Sequence, residues 1–207
     1  KSGGNLKLAT WYRDVDSFAR STPDSVGTVG RFTSIAFEKT DAGNTLAIAY
    51  ADDTHGDLKY YSVSSVSGAF NGLTTAVVDD LNGVANIDLR LKDHAPSIAY
   101  RDTLRGDVRF ASRSTAWSIE TVASAGSVGL SLSLLRDASG RAAVVYYSRT
   151  LDATYLATRL GTNNWSSQLI GSGGYSLSAA NHARDTTATL VRLDAPRSSL
   201  LVTDLFA

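Results

Sequence analysis

The chain has 207 residues, 43% of them hydrophobic, and its 20 acidic and 20 basic side chains leave a formal net charge of zero. That apolar content supports a folded core and excludes a disordered chain, while the missing basic excess argues against nucleic acid as a partner. No apolar stretch approaches the roughly 18 residues of a membrane span, and the absence of Cys excludes disulfides, thiolate metal sites and cysteine nucleophiles.

The kind of charge says more than its sum. The acids are 18 Asp and only 2 Glu (Glu38 and Glu120), and the bases are 15 Arg and 5 Lys. Glu and Lys favour helices, whereas Asp favours turns because its short carboxylate bonds nearby backbone amides. With 17 Gly, this is a composition for short strands and tight turns. The chain has no Met and starts Lys1-Ser2-Gly3-Gly4, which reads as a processed or excised segment and gives the expectation of an extracellular or periplasmic protein.

In chain order, the first element is Gly4–Thr10 (GNLKLAT), followed by an aromatic-headed strand at Phe18. A four-part unit then runs three times. Its first element is Thr33–Phe37, then Asn86–Leu89, then Leu130–Leu134. The second is Leu46–Tyr50 (LAIAY), Pro96–Tyr100 (PSIAY) and Ala142–Tyr146 (AAVVY). The third starts at Gly56 (GDLKYYS), at Gly106 (GDVRFAS) and, degenerate, at Asp152 (ATYLAT). The fourth opens on Phe70, Trp117 and Trp165. The chain finishes with Tyr175–Ala179, Ala188–Arg192 and a last third-type element from Ser198 (SLLVTD).

Two spacings carry the inference. Starts of the third element, at 4, 56, 106, 152 and 198, lie 46 to 52 residues apart, and the second element always ends six residues before the third begins. A fixed offset is what the two strands of a hairpin require, because loop length sets register. Four antiparallel strands per unit at this period are the signature of a propeller blade. A trefoil would show three units and a solenoid shorter coils. The stretch Ser97–Gly129 (SIAYRDTLRGDVRFASRSTAWSIETVASAGSVG) resembles a family of bacterial repeats of the form SIAYYD…GDLKYA…W…ETV…G.VG. The resemblance spans most of the chain, is strongest over 33–129, and implies a β-propeller fold without bringing catalytic residues.

The reading is therefore an all-β, four-stranded-blade propeller in one domain, 1–207. Its units are expected at about 33–83, 84–129, 130–175 and 176–207, after N-terminal strands within 1–32. Seventeen strands are one more than four blades need. The chain is thus either a four-bladed ring with a redundant end or an arc of a larger propeller, and the ragged ends favour the arc. The apolar run Leu200–Phe206 (LLVTDLF) would be an exposed edge, so another polypeptide or self-association is expected to complete the sheet.

Loops joining the second to the third strand share a face with loops joining successive units. That face gathers Asp52, Asp53 and His55, then Arg101, Asp102 and Arg105, then Arg149 and Asp152, and finally Asp194 and Arg197. Such alternation suits a glycan or peptide ligand. Turn chemistry explains the same residues: Asp caps turn amides and Gly takes a positive φ. Trp117 and Trp165, and Tyr50, Tyr100 and Tyr146, read as packing between blades. No G-x-S-x-G or H-E-x-x-H occurs, the three His are scattered, Asp14-x-Asp16 is too short for a calcium loop, and Asp137-Ala138-Ser139-Gly140 is only an echo of a sialidase Asp-box. No cofactor, metal site or catalytic residue is expected. The expected role is a non-enzymatic binding or scaffolding propeller mediating protein–protein or surface contacts. The alternatives are a lectin-like carbohydrate binder and a glycoside hydrolase drawing on Asp52 and Asp102.

Overall fold

A computed structural model describes residues 4–12, 16–41, 43–65, 71–182, 187–194 and 199–206. Among these residues there are seventeen strands and no helix, so none of the described elements is a helix able to cross a membrane. Phe70, Arg197, Asp14 and Ser198, singled out above, lie outside the described residues.

The strands form five antiparallel meanders. A two-stranded sheet, β1 (Leu6–Tyr12) and β2 (Ser17–Asp24), comes first. Three four-stranded sheets follow: β3 (Val29–Thr40), β4 (Gly43–Asp52), β5 (Asp57–Ser65) and β6 (Asn71–Asp79); β7 (Val84–Lys92), β8 (Ala95–Asp102), β9 (Asp107–Arg113) and β10 (Trp117–Ala123); β11 (Val128–Arg136), β12 (Ala142–Ser148), β13 (Ala153–Gly161) and β14 (Asn164–Ser172). The last sheet is β15 (Leu177–Asn181), β16 (Ala188–Asp194) and β17 (Ser199–Leu205). Each sheet is a propeller blade, and β3, β7, β11 and β15 are the inner strands.

The second strand of each complete blade has no solvent side. Every residue of β12 is buried, as are Ala47–Asp52 of β4 and Pro96–Tyr100 of β8. Such a strand is hydrogen-bonded on both edges and covered on both faces by neighbouring blades. Its sequence is therefore continuously apolar rather than alternating. Small residues at Ala47, Ala49, Ala99 and Ala143 let the sheets approach, and aromatics fill the gaps between them. Trp117 meets Tyr60 of the preceding blade edge-on at 5.3 Å between centroids, and Trp165 meets Phe110 in the same way at 5.3 Å. These contacts are the inter-blade packing that the sequence led us to expect.

Inner strands are tied blade to blade by one repeated bond. Ser34 Oγ accepts from the Leu89 amide at 3.0 Å, an Asp88 oxygen from the Leu134 amide at 2.8 Å, and Ser133 Oγ from the Ala179 amide at 3.1 Å. The three acceptors occupy equivalent positions, one residue before the partners of Ile48, Ile98 and Val144. The inner strands also begin earlier than the sequence suggested, at Val29, Val84 and Val128. Each contains a register irregularity shortly after its start, and this bulge conceals the first residues from a pattern search.

The blades form an open arc among the described residues. β3 packs on β7, β7 on β11 and β11 on β15, with no comparable packing of β15 against β3. β17 pairs only with β16, and β2 only with β1.

Candidate binding face

The turns between second and third strands build the face from a single device. Asp52 is buried, and its Oδ1 accepts the Thr54 amide at 2.9 Å and the His55 amide at 3.3 Å. Gly56, at φ 84°, returns its own amide to the Asp52 carbonyl at 2.7 Å. In the next blade Asp102, fully buried, accepts the amides of Leu104 and Arg105, both at 3.0 Å, and Gly106 at φ 79° closes the turn. The third blade has Asp152 at φ 46° in the glycine's place. Asp tolerates this region better than most residues, and Asp152 also accepts a bond from the Tyr147 hydroxyl at 2.7 Å.

Each buried carboxylate holds an exposed basic side chain three residues on. Asp52 Oδ2 meets His55 Nδ1 at 2.9 Å, and Asp102 Oδ2 accepts from Arg105 Nη1 at 2.9 Å. The His55 bond to Asp52 raises the imidazole above its ordinary value of 6.5. For Asp102, burial pushes the pKa up, but the Arg105 amide and guanidinium outweigh it and hold the carboxyl below its ordinary range.

Beneath these turns lies a second layer of charge, shared between blades. Asp24, at the end of β2, accepts from the Tyr50 hydroxyl at 2.8 Å and pairs with Lys59. Asp79, at the end of β6, accepts from the Tyr100 hydroxyl and pairs with Arg109 at 2.9 Å. Lys59 and Arg109 also come within 3.9 Å of Asp52 and 4.0 Å of Asp102. Burial, then the adjacent carboxylates, drive both tyrosine pKa values upward. Burial opposes ionisation of Asp24, yet the bonds from Lys59, Val26 and Tyr50 leave its pKa lowered. In the third interface Ala123 and Tyr155 replace this pair, and Tyr155 stacks on Tyr146 at 5.7 Å.

The remaining expected residues do different things. Asp53 pairs with Arg31 at 3.2 Å on the exposed rim. Arg101 reaches the next blade, donating to the Val128 carbonyl at 3.0 Å, and burial lowers its pKa. Arg149 is exposed and its amide bonds Ser127. Asp194 ends β16 opposite Ser199. The structure thus gathers Asp52, Asp53 and His55 in one turn and Arg101, Asp102 and Arg105 in the next. Among the described residues no group of three or more His, Asp or Glu is placed to hold a metal ion. Asp137, the Asp-box echo, caps its own turn by accepting the amides of Ser139 and Arg141, both at 2.9 Å.

Sequence reasoning missed Asp24, Lys59, Asp79 and Arg109. A signal was present. A base stands three residues after Gly56 and Gly106, and an Asp five residues before Val29 and Val84; in the third interface both charges vanish together. Glu120 was missed as well: it is buried and receives two guanidinium nitrogens of Arg159, at 2.6 and 3.1 Å, and Trp165 Nε1 at 2.9 Å.

No family model matches the chain, and no curated protein matches it. Solved structures do. The lectin of Aleuria aurantia in complex with alpha-methyl-L-fucoside aligns with 97% of this chain at 14% identity and a TM-score of 0.57. The WD40 domain of SCAP from fission yeast aligns with 97% at 13% identity and a TM-score of 0.53. An exo-beta-1,3-galactanase from Clostridium thermocellum aligns with 99% at 10% identity and a TM-score of 0.51. The chain spans 66% of the lectin, 48% of the WD40 chain and 54% of the galactanase. At these identities the likeness establishes the β-propeller fold.

Proposed function

We propose that this chain is a non-enzymatic binding and scaffolding propeller that acts outside the cytoplasm and engages another polypeptide through its open sheet ends. One observation carries the reading. Ile35 on β3 is 59% exposed, whereas Leu89 and Leu134 at the equivalent positions are each 1% exposed beneath the preceding blade. Phe37, two residues on, is exposed as well. The face of β3 is built like every other inter-blade interface and lacks only its cover. At the far end Leu200 and Val202 of β17 are exposed on an unpaired edge, which favours strand addition.

The test is amide hydrogen exchange at two protein concentrations, or with and without a co-purified partner. The Ile35 amide is expected to slow by at least tenfold on association, toward the behaviour of the Leu89 amide. Exchange at Ile35 that ignores association would defeat the reading.

A lectin-like second reading is favoured by the polar clefts between blades, where a guanidinium, a carboxylate and an indole N–H converge at Arg159, Glu120 and Trp165. A hydrolase has less support. Asp52 and Asp102, the carboxylates it would draw on, are buried and already occupied by turn amides and cations.

A further inference from the structure

We infer that the cleft between the second and third complete blades, on the side opposite the Asp-capped turns, is a binding site for an acidic saccharide, one bearing carboxylate or sulfate groups. The inference deepens the lectin-like reading and does not depend on the polypeptide-engaging one. Two adjoining cavities, of about 250 and about 220 Å³, share Ser97, Ser112 and Arg136 as walls. Lys92 and Arg113 line the first, and Arg141 and Arg159 the second. Among the described residues no Asp or Glu lines either one.

The charge is not neutralised from within. Of these five cations, Arg141 pairs with Asp137 and Arg159 with Glu120. Among the described residues Lys92, Arg113 and Arg136 have no carboxylate within ion-pairing distance. The Arg113 guanidinium is turned to the preceding blade, over the rings of Tyr60 and Trp117 at 4.9 and 5.1 Å, so the unpaired charge of the cleft is that of Lys92 and Arg136. Arg136 donates to the Gly140 carbonyl at 3.1 Å and only loosely to Ser97 Oγ at 3.5 Å. Glu38 and Asp93 act on Arg136 from farther away, and the Glu38 carboxylate is committed to the amides of Asp93 and His94.

Ordinary surface cations point into bulk water, where their hydration costs nothing. Arg136 is instead half-buried between two concavities, and burial lowers its pKa. A partly desolvated guanidinium is stabilised by a planar oxyanion that can accept two of its N–H groups. The serine hydroxyls around it, Ser97 and Ser112 in both cavities and Ser114 and Ser118 in the first, match sugar hydroxyls. The cleft has room for a sugar residue on either side of Arg136, which would sit between them and hold the acidic group.

Titration calorimetry tests this on the intact chain. The probes are a heparin-derived hexasaccharide, an oligogalacturonate, a neutral cello-oligosaccharide, inorganic sulfate and a polyglutamate peptide. The charged saccharides are expected to bind at low salt and to weaken as salt rises. Arg136→Gln should weaken them by about tenfold or more, the loss expected for one hydrogen-bonded charge. Lys92→Gln, at an exposed position, should weaken them with the melting temperature unchanged, which covers the case in which Arg136→Gln unfolds the chain. Binding of the neutral sugar as tightly as the charged ones would overturn the inference and leave the lectin-like reading standing. Silence from every saccharide would overturn both. Sulfate or polyglutamate matching the acidic saccharides would show that the cleft recognises charge alone, and would overturn the saccharide assignment.

Discussion

At the scale of single residues, the Asp-capped turn assigns opposite duties to its two charges. Asp102 is inaccessible and holds two amides and a guanidinium, while Arg105, its ion-pair partner, is 60% exposed at the side chain. Asp102→Ala should therefore cost about 2–3 kcal/mol in denaturant unfolding, because hydrogen bonds to a charged group are lost and amides are left unpaired. Arg105→Ala should cost far less, since the exposed arm of an ion pair is worth little. Equal losses would contradict this division. His55 gives a pH test. Its folded pKa is raised by Asp52, so its contribution to stability is present below the unfolded value and fades as pH rises through the folded one. An NMR titration should place its midpoint above 6.5, and Asp52→Asn should bring it back; an unmoved midpoint would refute the link. These turns were legible because Asp and Gly recur at fixed offsets. Their exposed partners differ, His55 against Arg105, and say nothing by spacing alone.

At the scale of elements, the hairpin of second and third strands was readable because its loop length never changes, six residues from Tyr50 to Gly56 and from Arg192 to Ser198. That register overrode local propensity. Leu151–Leu160 has helix-like spacing, yet Ala153–Gly161 is β13, paired along both edges with β12 and β14. The loops between blades are rich in glycine. Their constraint is contact: Gly27, Gly83 and Gly126 each approach a threonine of a neighbouring turn so closely that a Cβ would lie 2.5, 2.2 and 2.4 Å from Thr54, Thr103 and Thr150 Oγ1. A glycine of a loop between blades and a threonine of a turn 20 or more residues on thus form one tertiary contact, which no local pattern reveals. The inter-blade pairs Asp24–Lys59 and Asp79–Arg109 recur at fixed offsets, yet each joins strands of different blades, so only the fold shows that they meet. The cationic cleft was illegible as well. Lys92 and Arg136 stand on strands of two different blades and meet only in the folded arc.

At the scale of the whole molecule, the strand count read from the sequence matches the seventeen strands among the described residues, and the two ends of the arc complement each other. The last sheet supplies inner, second and third strands; the first supplies only third and outer ones. Ser178 follows the series of Ser34, Asp88 and Ser133, exposed and in position to bond a further inner strand. Phe18, the counterpart of Trp117 and Trp165, is 60% exposed where they are packed. Under the proposed association, strands of another polypeptide would bury these apolar ends. The most direct measurement is the native mass by sedimentation equilibrium at micromolar concentration. The native particle is expected to be heavier than the 21.9 kDa chain, and to fall toward that mass on Ile35→Asp with Phe37→Asp. A stable 21.9 kDa monomer whose mass and stability ignore those substitutions would contradict it.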